Sequence, residues 1–430
     1  MSAARAAQIG AAFDLRELPP DFYTNPYPVY DWLRDNQPVR HMPDGSYFLT
    51  RHADLVAVYR DAATFSSDKK LEFGTKYNHT IDPAPLFQHH TTSLVFNDPP
   101  LHSRVRKLIM GALTRRAIDD MKPGLIALVD RLLDRIQQQG GGDLIEDFAC
   151  AIPVEVIGNL LGVPSAERAP LRGWSLAILG ALEPRLSPQQ EAAGNQAVTD
   201  FTAYLKGLVA QRRRYPGDPQ HDVLTRLIQG EGEMQLSEME LLQNCVFILN
   251  AGHETTTNLI GNALVLVQEW HTERSKLLHK IEHKIHMLKE QTIDLSLEVD
   301  EFLRFESSNQ LSNRRASRAC QVGGADLPAG ALITLCIGAA NRDPAVFQNP
   351  NQLDVTRGDT RQGQPANRHL AFGFGVHQCA GLSLARLEGE IAIGRFLRRF
   401  PNYRLTAPPQ RGMRARFRGF VSAPFVVGLA

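Results

Sequence analysis

A long apolar run from Leu241 to about Trp270 stands out in the chain, and polar residues enter it too often for a membrane span, which takes ~20 consecutive, mostly apolar positions. The run predicts one buried helix with a small, polar patch, Ala251-Gly252-His253-Glu254-Thr255-Thr256, in its middle. Beyond it, Leu277, Leu278, Ile281, Ile285 and Leu288 recur at helical spacing and predict an amphipathic helix. Val322–Gly330 followed by Leu332–Ile337 reads as strand, turn, strand. Asn97-Asp98-Pro99-Pro100 is a helix-start signal, and a helical pattern resumes over Leu382–Glu388 directly after a glycine-rich stretch. Pro216-Gly217-Asp218-Pro219 marks a loop, and no repeat or low-complexity segment interrupts the chain.

Composition narrows the classes. With 430 residues, 43% of them hydrophobic, the chain can bury a large core, and length alone predicts two or three domains. A formal net charge of +1 gives no global bias toward nucleic acid. Met1–Gly10 is small and polar, with neither an apolar span nor a signal-peptide core, so a cytoplasmic protein is expected, without membrane attachment and with a flexible lead-in over residues 1–20. The five cysteines are odd in number and form no Cys-x-x-Cys pair, which speaks against a disulfide framework and against a four-ligand zinc site.

One cysteine has a distinctive setting. Cys379 ends the run Phe372-Gly373-Phe374-Gly375-Val376-His377-Gln378-Cys379-Ala380-Gly381, which feeds into a helix. A lone cysteine is usually a small buried hydrophobe. At a helix N-terminus, however, a thiolate is favoured by the dipole and by unpaired N–H groups, and a thiolate is a metal ligand. Gly373 and Gly375 allow backbone conformations that other residues resist, Gly381 lets a flat group lie close, and Phe372 can shield the sulfur from water. A single protein sulfur on a metal with open positions points to haem iron, where a thiolate favours O–O cleavage.

The polar patch of the long helix suits the same chemistry. Ala251-Gly252 is a place where another molecule can approach the backbone, and Thr255 can bond back to the Ala251 carbonyl and open the helix locally. Glu254 is costly inside such a helix unless paired or protonated. Splitting dioxygen needs two protons, and a hydroxyl beside an acid is a relay that can deliver them. Glu301 and Arg304 share one helix face, a spacing that by itself usually marks a surface ion pair. His102 and Arg106, four apart, project on one side of the helix that follows Pro100.

The segment ending at Gly381 reads Phe-x-x-Gly-x-His-x-Cys-x-Gly and resembles the haem-binding signature of the cytochrome P450 superfamily. That resemblance, with motifs in family order from about Asp98 to Gly381, implies a single domain over 1–430, mainly α with a minor β portion. It implies haem b (iron protoporphyrin IX) on Cys379, with Phe372, Gly373, Gly381, Ala251 and Gly252 against the cofactor. Ala-Gly-His-Glu-Thr-Thr resembles the oxygen-activation motif, which makes Thr255 and Glu254 the alcohol and the acid. Glu301, Arg304 and Arg357 become a scaffold for the cysteine loop, and His102, Arg106, Arg314 and His377 become contacts to the haem propionates, His369 less so.

By the same resemblance, Phe73–Phe96 and Leu171–Leu186 roof a pocket for a small apolar organic substrate, with Phe73, Tyr77, Phe87, Trp174, Ile178 and Leu182 among its candidates. The implied reaction takes one atom of dioxygen, with electrons from a separate ferredoxin or flavodoxin and its NAD(P)H-dependent reductase. A monomer is expected. Arg104, Lys107, Arg115, Arg116, Arg361 and Arg368 flank the haem segments and are candidates for a basic docking face. Rival readings are a peroxide-dependent or rearranging haem-thiolate enzyme and a non-catalytic haem sensor or electron carrier.

Two features depart from the family pattern. After Arg304 the chain reads Phe305-Glu306-Ser307-Ser308-Asn309-Gln310-Leu311 where a proline is usual, which predicts a looser or more polar strand facing the substrate. The stretch around Lys276–Leu288 is longer by roughly three helical turns. Its His279, His283 and His286 could hold a metal, although a solvated face or a partner-docking helix fits their spacing better.

Overall fold

The structure is a computed structural model that describes residues 1–70, 72–73, 84–220, 222–230, 235–288, 294–358 and 368–428, with the side chains of 284–288 set aside. Its helices are α1 (Ala3–Ala11), α2 (Pro20–Thr24), α3 (Tyr27–Asn36), α4 (His52–Arg60), α5 (Pro85–Thr92), α6 (Leu101–Ala112), α7 (Arg115–Gln139), α8 (Ala151–Leu161), α9 (Leu171–Gly180) and α10 (Pro188–Arg214). They continue as α11 (Val223–Ile228), α12 (Glu238–Glu269), α13 (His271–Leu288), α14 (Ser296–Phe305), α15 (Ile337–Ala340) and α16 (Leu382–Arg399). Short strands are β1 (Val39–His41), β2 (Tyr47–Leu49), β3 (Phe65–Ser66), β4 (Gly141–Asp143), β5 (Leu311–Ala316), β6 (Cys320–Val322), β7 (Ala325–Leu327) and β8 (Leu332–Cys336). The last four are β9 (Arg404–Leu405), β10 (Gln410–Arg411), β11 (Phe420–Ser422) and β12 (Pro424–Val426). A mainly helical fold with minor sheet is what the sequence predicts.

The apolar run becomes α12. Ser237 starts it with a reciprocal cap, accepting from Glu240 N while the Glu240 side chain accepts from Ser237 N. Because apolar residues occur around most of its circumference, the helix is buried on nearly every side by α5, α8, α9, α14 and α16. No helix among the described residues is long and apolar enough to cross a membrane. The largest sheet has the order β1-β2-β8-β5-β3; β8 lies antiparallel to β5, pairing Arg314 with Ile333, and parallel to β2. The predicted strand-turn-strand is resolved into the β6–β7 hairpin and the separate β8.

The first twenty residues are not a loose lead-in, which corrects the expectation. Ala6, Ile9 and Phe13 are buried, Phe13 packs against Phe22 and Phe48 with ring centroids 5.9 and 4.9 Å apart, and Arg40 donates to the carbonyls of Gly10 and Ala11. Small residues on α1 permit close packing on α3: a Cβ on Gly10 would fall 2.3 Å from the Trp32 ring.

The Glu306–Leu311 segment is polar but tightly held, so the looseness read from its missing proline is also corrected. Glu306 is buried against Arg418, with Arg411 at 3.6 Å and Arg342 at 3.9 Å. Ser307 donates to Leu303 O at 2.8 Å and receives Asn341 Nδ2 at 2.7 Å, while Gln310 Nε2 donates to Ser307 O at 2.7 Å. Hydrogen bonds replace the restriction that a proline ring would supply.

Along α13, Leu277 and Ile281 are buried while His279 and His283 are exposed, as an amphipathic helix requires. Ile285, His286 and Leu288 lie outside the described side chains. Among the described residues no group of three or more His, Cys, Asp or Glu is arranged to hold a metal ion.

Candidate active site

The cysteine loop is shaped by its own backbone. Cys379 N donates to Phe372 O at 2.8 Å, Gln378 N to Gly375 O at 3.0 Å and Gly373 N to Leu370 O at 2.8 Å. Gly373 and Gly375 have φ of +64° and +72°, the left-handed region that favours glycine. Gly375 has a second reason to be glycine, because a Cβ there would stand 2.4 Å from Tyr59 O. At Gly381 φ is −91° and a Cβ would meet only the Cys379 sulfur, at 4.0 Å, so this residue keeps the space beside Sγ clear.

Burial pushes the Cys379 thiol up, against the Gly381 N–H and the charges of Arg106 and Arg386, which pull it down. The Gly381 N–H and the two guanidiniums favour the anion in opposition to burial.

Beneath the loop lies the scaffold. Arg304 holds Glu301 through two hydrogen bonds of 2.7 and 2.8 Å, Arg357 Nε adds a third at 3.1 Å, and all three side chains are buried. Arg304 also donates to Asn341 O at 3.0 Å, and Asn341 Oδ1 accepts from Leu370 N at 2.6 Å, two residues before Phe372. The ion cluster thus reaches the loop through one asparagine. His369 belongs to a different cluster: its Nε2 lies 3.2 Å from Asp300 Oδ1, and Asp300 also takes two bonds from Arg386, whose guanidinium stands 5.1 Å over the Phe372 ring.

His102 and His377 meet ring to ring, 4.0 Å between centroids. Burial lowers both, to about 4 and about 3, with Arg106 and Arg314 adding to the effect, so both imidazoles are neutral at neutral pH. Nδ1 of His102 and Nε2 of His377 are buried without hydrogen-bond partners among the described residues. Arg314, also buried, bonds Asn313 O at 2.7 Å and has Asp98 only as a distant charge; burial lowers its pKa. Two ring nitrogens without hydrogen bonds, that of His377 standing 3.9 Å from Asp98 Oδ1, and a guanidinium with no carboxylate in contact among the described residues fit a group bearing two carboxylates, as haem does. Arg106 donates to Gln378 O at 2.6 Å and so ties α6 to the cysteine loop.

In its middle, α12 has an open stripe. Ala251 is exposed and Phe247, Ile248, Gly252 and Thr255 are half-buried, while their neighbours on the other faces are buried. Such a stripe leaves this stretch of the helix open to contact by another molecule. Thr255 Oγ1 donates to Ala251 O at 2.7 Å, the back-bond that the sequence predicts. Gly252 serves a neighbour as well: a Cβ there would lie 2.5 Å from Ile157 Cδ1 of α8.

Glu254 is buried and paired with Arg414, whose Nε also lies 3.3 Å from Glu183. Burial raises the Glu254 carboxyl, Arg414 opposes the rise, and the Glu183 charge adds to it. Arg414 and Glu183 are partners that the sequence reading missed, and no local signal pointed to them. The adjacent His253 is buried with both ring nitrogens unpartnered among the described residues.

Of the roof candidates, Phe73 packs on His90 and Phe96, and Ile178 is buried. Trp174 instead stacks on Phe201 of α10, 5.0 Å between centroids, while Tyr77 lies outside the described residues. In the basic set, Arg104 is paired with Glu240, Lys107, Arg115, Arg116 and Arg368 are exposed, and Arg361 lies outside the described residues.

Known proteins resemble this chain over nearly its whole length. A family model described as Cytochrome P450 matches residues 180–424. A biotin biosynthesis cytochrome P450 of Bacillus subtilis is 33% identical, over 90% of this chain and 91% of the relative. A vitamin D(3) 25-hydroxylase of Pseudonocardia autotrophica is 35% identical, over 87% of this chain and 86% of the relative. The crystal structure of epothilone D-bound cytochrome P450epoK superposes with a TM-score of 0.84 at 32% identity, covering 97% of this chain and 99% of the other.

Proposed function

The chain belongs to the cytochrome P450 family, and from that premise we propose that it inserts one atom of dioxygen into an apolar organic molecule, with Cys379 holding the haem and Thr255 and Glu254 delivering protons. The family binds haem and its members are monooxygenases, so the chain is an oxidoreductase. When bound through a thiolate, haem iron supplies the activation of dioxygen and the transfer of an oxygen atom to carbon. The residues suited to hold the group are Cys379 below and His102, His377 and Arg314 at its carboxylates.

The observation that carries the proton-delivery reading is the open stripe of α12. Thr255 lies on it, its hydroxyl held by the Ala251 carbonyl, and the buried Glu254 is the next residue back along the helix. Burial makes Glu254 reluctant to lose its proton, which suits a donor. An apolar substrate is supported by Phe247, Ile248 and Ala251 on the same stripe, and by relatives named for vitamin D(3) and epothilones. Electrons would come from a ferredoxin or flavodoxin with its NAD(P)H-dependent reductase, since an acid and alcohol pair is superfluous to an enzyme fed with peroxide.

The test is product formation by the haem-loaded enzyme with ferredoxin, reductase and NADH. Thr255→Ala and Glu254→Gln are expected to cut product per NADH by ~100-fold, with the reduced, carbon monoxide-bound spectrum unchanged. Cys379→Ala should abolish the thiolate band of that spectrum. Undiminished product from both α12 variants would reject the relay, and a retained band in Cys379→Ala would reject the ligand.

A further inference from the structure

The acid on which proton delivery depends is gripped from the far end of the chain. Arg414 lies in the hairpin between β10 and β11, and its Nη1 binds Glu254 Oε1. The same guanidinium reaches Glu183, Nε to Oε1, at 3.3 Å. Glu183 follows α9 in the segment Leu171–Leu186, and its other oxygen accepts the backbone N–H groups of Ala415 at 2.9 Å and Arg416 at 3.2 Å. Arg416 Nε donates in turn to Leu182 O at 3.1 Å. The end of the roof segment is thereby clasped to the tip of the hairpin, and the hairpin touches the acid.

The clasp alone does not need Arg414. Two backbone N–H groups and the Arg416 bond to Leu182 already seat Glu183. What Arg414 adds is a link between two carboxylates from separate segments, made to Glu254 at a single point. Its Nη2 and Glu254 Oε2 are both buried without hydrogen-bond partners among the described residues, so the Arg414–Glu254 contact is a single point rather than a fork. A single guanidinium shared by two carboxylates is divided between them, and whatever moves one carboxylate changes its hold on the other.

We propose that Arg414 is a positioning residue for Glu254, and that Glu183 makes its grip on that acid depend on whether the roof segment is seated on the hairpin. The inference rests on the reading of Glu254 as the proton donor. With the roof seated, Arg414 is shared between the two carboxylates and holds Glu254 less strongly than it would hold it alone. With the roof lifted, Arg414 passes wholly to Glu254 and keeps it charged and fixed. Proton delivery is thereby confined to the closed enzyme.

Coupling of this kind is reciprocal, so it is measurable at the roof without turnover. Amide hydrogen–deuterium exchange of peptides spanning 171–186 would be compared in haem-loaded, substrate-free wild type, Glu254→Gln, Arg414→Met and the double variant. Neutralising Glu254 leaves Arg414 to Glu183, and roof exchange is expected to slow by roughly five-fold or more. That response should vanish in the Arg414→Met background and return with Arg414→Lys, which keeps the charge. Unchanged roof exchange in Glu254→Gln, or the same slowing in the presence and absence of Arg414, would overturn the inference. Full product yield from Glu254→Gln would instead overturn the proton-delivery reading, and the exchange data would still decide whether the roof and α12 are coupled.

Discussion

At Glu306 the protein holds one carboxylate against three guanidiniums, with Arg342 also lying 3.3 Å from the Tyr27 ring centroid and 3.8 Å from that of Phe305. Burial would raise its pKa, but Arg418, Arg411 and Arg342 win and lower it to about 2. The folded value lies below that of the unfolded chain, so the stability it contributes is complete above the unfolded pKa and is lost as pH falls through the folded one. Glu306→Gln is expected to cost roughly 3 kcal/mol at neutral pH and to flatten the acid limb of stability between about pH 4 and 2, as measured by urea unfolding at a series of pH values. A cost that did not shrink toward pH 2 would reject the assignment. Single residues like this one are where the sequence was least legible. The roles proposed for Cys379 and Thr255 are read from near neighbours, whereas Glu254 meets Arg414 across 160 residues, a pairing no local spacing encodes.

Among the elements, α12 was legible because a long apolar run has few alternatives to a buried helix, while its start at the Ser237 cap, ahead of Leu241, was not read. The lead-in over 1–20 was misread since small, polar residues look unstructured until the apolar side of α1, with Ile9 and then Phe13, meets α3. The cysteine loop shows how an element can be legible in outline and not in reason. Its glycines read as conformational freedom, yet Gly375 also sits against the last turn of α4. A Gly375→Ala substitution must both hold φ near +72° and put a methyl 2.4 Å from Tyr59 O. The loop is expected to shift away from α4, and haem content per purified chain to fall at least several-fold, while far-ultraviolet circular dichroism keeps its helical shape. Full haem loading in this variant would show that the loop does not need its seat on α4.

For the whole molecule, net charge says little because +1 is the residue of 47 basic and 46 acidic side chains, and their placement decides what partners meet. Arg106 fastens α6 to the cysteine loop, and at the following turn Arg115 and Arg116 are exposed at the start of α7. Both belong to the basic set proposed as a docking face for the reductant. Reversing both charges to glutamate is expected to slow ferredoxin-dependent reduction about ten-fold at low salt and to weaken its dependence on ionic strength, with substrate-induced spectral shifts unchanged. A rate indifferent to both salt and charge reversal would rule out a basic docking face. The seating of Gly375 on Tyr59 carries one more consequence, for the order of events at the ribosome. Residues near position 59 leave the exit tunnel long before position 375 is translated, and contacts so distant in sequence form late. Cofactor capture through Cys379, the ligand proposed above, is thereby a closing act of synthesis: a nascent chain that stops short of Cys379 has no thiol in place to receive iron.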